Sequence, residues 1–318
     1  MTMSEPHGLG DAPAVSHGHS AGGCDGMFMV VIVPFLNEEK YLPTFLESVA
    51  AQTRLPDILV LVDDGSTDRS TAIASHFADR HSYARALRRP PRPVARDRLA
   101  SASEWGAWQW ALEETGVAGS LLVKLDADLR LPPRFFEEME HRFRADPLLG
   151  VAGANLSTVG RDGVPKPEYN AKNHVRGATK FYRGDCYRDI SPVPQILGWD
   201  TIDEVTARMN GWHTRNVVIP GGDPVQMRMT ASHDGLLRGF RRHGVAAYGY
   251  GAHPLHVLLG GARRATAPPY LVAGVSYVLG WVEGFVRRAP RAGAEVRAFA
   301  RREQVKDLFR RIAVSGGR

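Results

Sequence analysis

Three short runs of apolar residues, each stopping at carboxylates or amides, constrain this chain more than any other feature. They are "MFMVVIVPFLNEE" (27–39), "DILVLVDDGSTD" (57–68) and "LVKLDADLRLPP" (122–133). A continuous apolar run, unlike an alternating one, suits a strand buried on both faces, as in a parallel sheet. Between the runs lie helical patterns over about residues 38–53, over Ser70 to Arg80 and over about Leu99 to Glu114. Short strands alternating with amphipathic helices predict an α/β domain with a mostly parallel central sheet flanked by helices. Ligands of such sheets sit off the carboxyl ends of the strands. Asn37 and Glu38, Asp63 and Asp64, and Asp126 and Asp128 are therefore expected to converge on one edge. Each cluster alone also reads as a turn or a helix cap. A carboxylate pair at the end of a buried strand is costly unless positive charge meets it. Oxygen ligands of this kind suit Mg²⁺ or Mn²⁺.

Composition narrows the classes. A chain of 318 residues with 43% hydrophobic content and a net charge of +6 is globular, and its arginine-rich charge suits phosphates, nucleotides, nucleic acid or an anionic lipid surface. Two cysteines, Cys24 and Cys186, make neither a disulfide framework nor a zinc site, which points to a reducing, cytoplasmic setting. Residues 1–26 mix polar and small residues without an apolar core and predict a flexible tail, with His17 and His19 in it. No apolar run reaches 18 residues; "YLVAGVSYVLGWV" (270–282) is cut short by Glu283.

In order and spacing, "VIVPFLNEEKYLPTFLESVAAQT", "VLVDDGSTDRS" and "LVKLDADLRLPP" resemble the family 2 glycosyltransferases. The resemblance implies a GT-A fold, Rossmann-like, and an inverting transfer that depends on a divalent metal. It also implies a nucleotide-diphosphate sugar donor (UDP-, GDP- or TDP-linked) and a hydroxyl acceptor, lipid-linked or glycan, in polysaccharide, glycolipid or natural-product assembly. Nucleic acid is not an expected partner. Asp128 would bind Mg²⁺ or Mn²⁺ directly, with Asp126 reaching the metal or the ribose. Asp64 would read a base N–H, with Pro34, Asn37 and Glu38 lining that pocket and Asp63 in support. Lys124, on the same strand face as Asp126, is expected to be structural.

The second chemical cluster is "GWDTIDEVTARMNGW" (198–212). Inverting transfer needs a base for the acceptor hydroxyl, and a carboxylate within hydrogen-bond reach serves. Where the family places a Glu-Asp pair, this chain has Ile202 and Asp203. The resemblance puts the base at Asp203, with Asp200 and Glu204 as alternatives. Trp199 is expected in the site wall, His233 as a candidate further metal ligand, and Arg96 or Arg98 of the basic segment 85–98 as a phosphate contact.

The expected organisation is a tail (1–26), a GT-A domain (27–232) and a C-terminal helical extension (233–318). The domain divides into a nucleotide-binding half (27–131) and an acceptor half (132–232). In the extension, an apolar Gly-rich stretch edged by Arg263, Arg264, Arg287 and Arg288 is expected to pack on the body or form a homodimer, or else to make peripheral membrane contact at the inner face of the cell membrane. Val305, Leu308, Phe309 and Ile312 share one helical face and are expected to dock. Two other classes compete. A nucleotidyltransferase would want a Gly-rich phosphate loop after the first strand, where "PFLNEE" stands, and a non-catalytic ion-binding module would leave the acids near residue 200 without a role.

Overall fold

The computed structural model describes residues 26–92, 97–160, 163–167, 174–228, 236–266 and 269–315. The chain runs β1 (Met29–Phe35), α1 (Leu42–Ala50), β2 (Ile58–Asp63), α2 (Ser70–Arg80), β3 (Ala84–Arg88), α3 (Ser103–Thr115) and β4 (Leu121–Leu125). It continues through β5 (Leu129–Arg130), α4 (Phe135–Ala145), β6 (Leu149–Ala154), β7 (Ser157–Val159), β8 (Pro165–Pro167), β9 (Thr179–Arg183) and α5 (Gly184–Ile190). Then follow α6 (Trp199–Met209), β10 (His213–Val217), β11 (Val225–Gln226), α7 (Leu236–Gly249), α8 (Pro254–Ala265), α9 (Leu271–Val286) and α10 (Ala294–Ser315).

The main sheet has the order β10-β6-β9-β4-β1-β2-β3. Its pairings are parallel except at β9, which runs antiparallel to both β4 and β6. Every residue of β1 is buried, because both faces of the sheet are covered. Val31 and Val33 pack with Phe45, Phe135 and Phe136 on one face. Val30 and Ile32 pack with Trp105, Trp108 and Tyr182 on the other. The parallel register sets Phe35 beside Asp63, so the polar residues after β1 and β2 leave the sheet at one level. A second, four-stranded sheet (β5-β11-β7-β8) follows directly from the Asp126–Asp128 turn, and β11 pairs antiparallel with β5.

Two boundaries differ from the sequence reading. Asn37 holds a left-handed backbone (φ 54°), which postpones α1 to Leu42. The basic segment is not all loop, because Ala84–Arg88 forms the edge strand β3.

The extension packs through glycines. A Cβ on Gly244 would lie 2.0 Å from the Tyr277 carbonyl, one on Gly280 2.0 Å from the Arg241 carbonyl, and one on Gly274 2.3 Å from the Gly261 carbonyl. Helix α7 thus lies against α9, and α8 against α9, at a separation only glycine permits. The extension is tied to the body by Arg208–Glu303 (2.9 Å) between α6 and α10 and by Arg242–Asp97 (2.8 Å). Val305 and Leu308 are half-buried, whereas Phe309 is exposed, so the expected docking face is covered only in part. The side chain of Ile312 lies outside the described residues, as do His17, His19, Cys24, Arg96 and His233.

Candidate active site

The loops after β1 and β2 are knitted together by their polar side chains. The Asn37 and Glu38 amides donate to Ser66 Oγ (3.0 Å) and Ser70 Oγ (2.7 Å), and Asn37 Oδ1 accepts from the Thr67 amide (2.8 Å). Pro34 is buried inside β1. Asp63 accepts from the Ser66 and Gly65 amides and the Thr71 hydroxyl at 2.6–3.1 Å. Burial works to raise its pKa, but these hydrogen bonds hold the carboxyl below its ordinary value. Asp63 therefore builds the loop. Asp64 faces three cations of the basic segment: Arg89 (3.3 Å), Arg92 (2.6 Å) and Arg98 (2.6 Å). A carboxylate offers about four lone-pair positions, and these guanidiniums fill them.

Off the end of β4, Lys124 is fully buried and contacts Asp126 at hydrogen-bond distance and Glu104 of α3 at 3.3 Å. Burial opposes its charge, but Asp126 and Glu104 keep it protonated, its pKa above the ordinary lysine value. Asp128 is almost buried, 3.4 Å from Gln226 and 3.9 Å from Arg228. Burial, then the charge of Asp126, raises it to about 7 against the pull of Arg228. Glu38 is also pushed up to about 7, by burial first, with Asp128 and Asp126 adding to it and Arg228 at 2.6 Å opposing. Glu38, Asp126 and Asp128 thus share one region of surplus negative potential.

Helix α6 supplies the remaining acids. Asp203 is fully buried; Oδ1 accepts from Lys180 Nζ (2.6 Å) and Oδ2 from the Tyr182 hydroxyl (2.5 Å). Burial raises its pKa to about 6, Lys180 opposes and Glu204 adds. Glu204 is 2% exposed and binds the Val175 amide (2.7 Å) and His174 (3.4 Å). Asp200, in the first turn, is half-buried. Burial acts to raise it, yet Lys180, His174, His243 and Arg176 hold it below the usual carboxylate range, ionised at neutral pH. The expectation of Asp203 as base does not fit these surroundings, since both its oxygens are occupied inside the core. Trp199, expected in the site wall, is buried and stacked on Trp105 at 4.1 Å, with the Lys124 and Lys180 ammonium groups over its ring.

The two acidic regions meet. Arg176, its charge disfavoured chiefly by burial, lies in the combined field of Asp126, Asp200 and Asp128. Glu104, raised first by desolvation, feels both Asp126 and Asp200. Sequence reasoning missed Arg176, Arg228, Gln226 and Glu104. Only Glu104, in the first turn of a legible helix, left a signal; the others stand where no periodicity marks them.

Among the described residues, no three His, Cys, Asp or Glu side chains form a metal cage. Asp126 and Asp128 are instead an oxygen pair whose surplus negative potential suits a hard divalent cation that takes its other ligands from substrate. The residues fit such an ion.

The mostly parallel sheet flanked by helices has the architecture of the GT-A fold. A mannosyltransferase from Pyrobaculum calidifontis, solved with GDP-Man and Mn²⁺, superposes with a TM-score of 0.52 at 17% identity, covering 89% of this chain and 81% of that one. TarS of S. aureus superposes with a TM-score of 0.53 at 18% identity over 85% of this chain and 50% of that one. TarS 1–349 with UDP-GlcNAc gives 0.51 at 16% identity over 85% and 78%. The family model Glycosyl transferase family 2 matches residues 30–193, more than half of the chain, and the chain belongs to that family. An undecaprenyl-phosphate 4-deoxy-4-formamido-L-arabinose transferase of Pectobacterium carotovorum subsp. carotovorum (strain PC1) is 29% identical over 132 residues, 39% of this chain and 36% of its own. The matching protein of Yersinia enterocolitica serotype O:8 is 30% identical over 109 residues, 32% and 29% of the two chains. The match thus spans about a third of these curated relatives.

Proposed function

We propose that this chain moves a sugar from a nucleoside-diphosphate donor to a hydroxyl of a lipid-linked acceptor in a single inverting displacement. Family membership, the donors bound by the structural neighbours and the lipid phosphate named for the relatives support this reading. The observation that carries it is Trp199, whose ring lies under both Lys124, the partner of Asp126, and Lys180, which contacts the Asp200 carbonyl, so that the acids after β4 and the start of α6 border one region.

Asp128 and Asp126 would hold Mg²⁺ or Mn²⁺. Bound there, the cation supplies positive charge against the departing diphosphate. Arg176, in the field of Asp126, Asp200 and Asp128, adds a guanidinium suited to phosphate oxygens. Asp64 reads the base N–H beside Pro34, Asn37 and Glu38, once one of the arginines on its carboxylate turns toward the donor. Asp200 is the base: its carboxylate takes the acceptor proton as the acceptor oxygen bonds to the anomeric carbon and the bond to the diphosphate breaks. Asp203, Lys180 and Tyr182 fix the helix that carries it. The contact of Lys180 Nζ with the Asp200 carbonyl serves the same end.

A cavity of about 540 Å³ lies between the body and the extension, lined in part by Gln195, Leu197, Arg238, Arg242 and Arg287. Leu197 precedes Asp200 by three residues, and Arg238, Arg241, Arg242 and Arg287 against Asp97 and Glu283 leave the lining an excess of positive charge that suits an acceptor bearing a phosphate. A cytoplasmic setting at the inner face of the membrane fits this acceptor and the cysteine content.

Incubation with a panel of UDP-, GDP- and TDP-sugars and Mn²⁺ should release nucleoside diphosphate from one of them. Asp200→Asn should retain donor binding by calorimetry while turnover falls by roughly 10²–10⁴-fold. Near wild-type turnover in that variant would move the base elsewhere. No release and no nucleotide binding across the panel would remove the enzymatic reading altogether.

A further inference from the structure

Helix α9 is built the opposite way to an ordinary helix docked on a core. Its small residues Ala273, Gly274, Gly280 and Gly284 face the protein, with Tyr277. Its large apolar residues Leu271, Val275, Leu279, Val282 and Val286 recur on one face and are 42–73% exposed. Helix α8 repeats the pattern: Val257 and Gly261 are buried, and Leu255, Leu258 and Leu259 are 44–58% exposed. An exposed apolar surface of this extent is unusual on a soluble monomer and marks an interaction site. The sequence reading preferred packing for this stretch; the structure packs its glycines and leaves its large side chains outward.

Two observations choose the occupant. The first is length. Sixteen residues make a helix of about 24 Å, short of the roughly 30 Å of a bilayer core, and no helix among the described residues is long and apolar enough to cross a membrane. The second is charge. Residues 236–318 carry fifteen Lys and Arg against four Asp and Glu, a net of +11, so the rest of a chain whose total is +6 stands at −5. Arg263 at the end of α8 and Arg287 and Arg288 at the end of α9 are exposed at the margins of the apolar face. A second copy of this extension would bring like charge against like, the exposed Arg263, Arg287 and Arg288 included. Anionic lipid complements both the apolar face and the basic margin.

We propose that the outward face of α8 and α9 seats in the interface of a bilayer containing anionic lipid, with Leu258, Leu271, Val275, Leu279 and Val286 among the acyl chains and Arg263 and Arg288 at the headgroups. The inference goes beyond sugar transfer and stands on this surface alone. Its test needs no catalysis, so failure here leaves the glycosyltransferase reading untouched, and the converse also holds.

The full chain is sedimented with vesicles of phosphatidylcholine and phosphatidylglycerol and with vesicles of phosphatidylcholine alone. Wild type should pellet with the former, weakly with the latter, and less as salt rises. The double variant Leu258→Glu, Val275→Glu alters two exposed positions. It should lose at least about a hundredfold in partitioning while soluble-donor hydrolysis is kept. Arg263→Gln with Arg288→Gln should erase the preference for phosphatidylglycerol. Wild type that stays in solution with both vesicle types overturns the proposal, as does a double glutamate variant that pellets like wild type. A vesicle-free dimer that the glutamates dissociate also overturns it, in favour of an interface between copies.

Discussion

Asp203→Asn separates two roles that a carboxylate at the start of a helix can play. In the structure Asp203 is 0% exposed and makes a 2.6 Å ion pair with Lys180, itself 0% exposed, while Tyr182 donates to its second oxygen. Asparagine keeps the shape but removes the charge and turns one acceptor into a donor. Lys180 is then left in the core with Glu204 at 3.4 Å as its nearest remaining anion. Breaking a buried pair by removing one partner costs about 3–5 kcal/mol, because the other charge stays desolvated. In a chain of this size that corresponds to a fall in Tm of roughly 4–8 °C. The assay pairs thermal unfolding with donor turnover per folded molecule at a temperature below both transitions. The expected result is a lowered Tm with turnover per folded molecule within a few-fold of wild type. An unchanged Tm with turnover collapsed by orders of magnitude would refute the reasoning and return the base to Asp203.

Other consequences can be tested separately. Asp128→Ala should weaken Mn²⁺-dependent nucleoside-diphosphate binding on the order of a hundredfold or more by calorimetry; equal affinity would remove Asp128 from the ligand set. Gly280→Ala puts a methyl group 2.0 Å from the Arg241 carbonyl and should cost about 3 kcal/mol in urea unfolding by forcing α7 and α9 apart; a neutral change would mean that the helices are not in that contact. His174 sits 3.4 Å from Glu204, and although burial works the other way, that carboxylate lifts its pKa from 6.5 to about 9. A raised folded-state pKa adds stability that is full below about pH 6.5 and lost as pH climbs through about 9. His174→Gln should flatten the wild-type decline in Tm across that window, and an unaltered slope would place its origin elsewhere.

The strands that carry the site were legible because a parallel sheet covered on both faces demands unbroken apolar runs, and β1, β2 and β4 supply them. Helix α2 matches its sequence bounds, Ser70 and Arg80, since a β-strand ending in a turn hands directly over to an amphipathic repeat. Strand β9 was not legible: Thr179–Arg183 is five residues with two cations, and Lys180 is buried only because Asp203 neutralises it. That omission carried into the choice of base. Asp200, Asp203 and Glu204 fall on one side of α6 by helical spacing, and Lys180 and Tyr182 on β9, with Val175 and His174 before it, decide which carboxylates are used up in the core. The same holds for Arg228 and Gln226, which reach the acidic pair because β11 pairs with β5. The outward turn of α9 depended on which face the glycines chose, and composition leaves both faces open.

The indole rings of Trp108, Trp105 and Trp199 lie nearly parallel in succession, with centroids 4.9 and 4.1 Å apart and interplanar angles of 9° and 10°. Stacking at that spacing couples their π systems, and the Lys124 and Lys180 ammonium groups set positive charge against the Trp199 ring. A donor that draws Lys124 away from Asp126 is therefore expected to shift the protein's own ultraviolet emission, and a titration read in a fluorimeter would report occupancy of the cleft without a label.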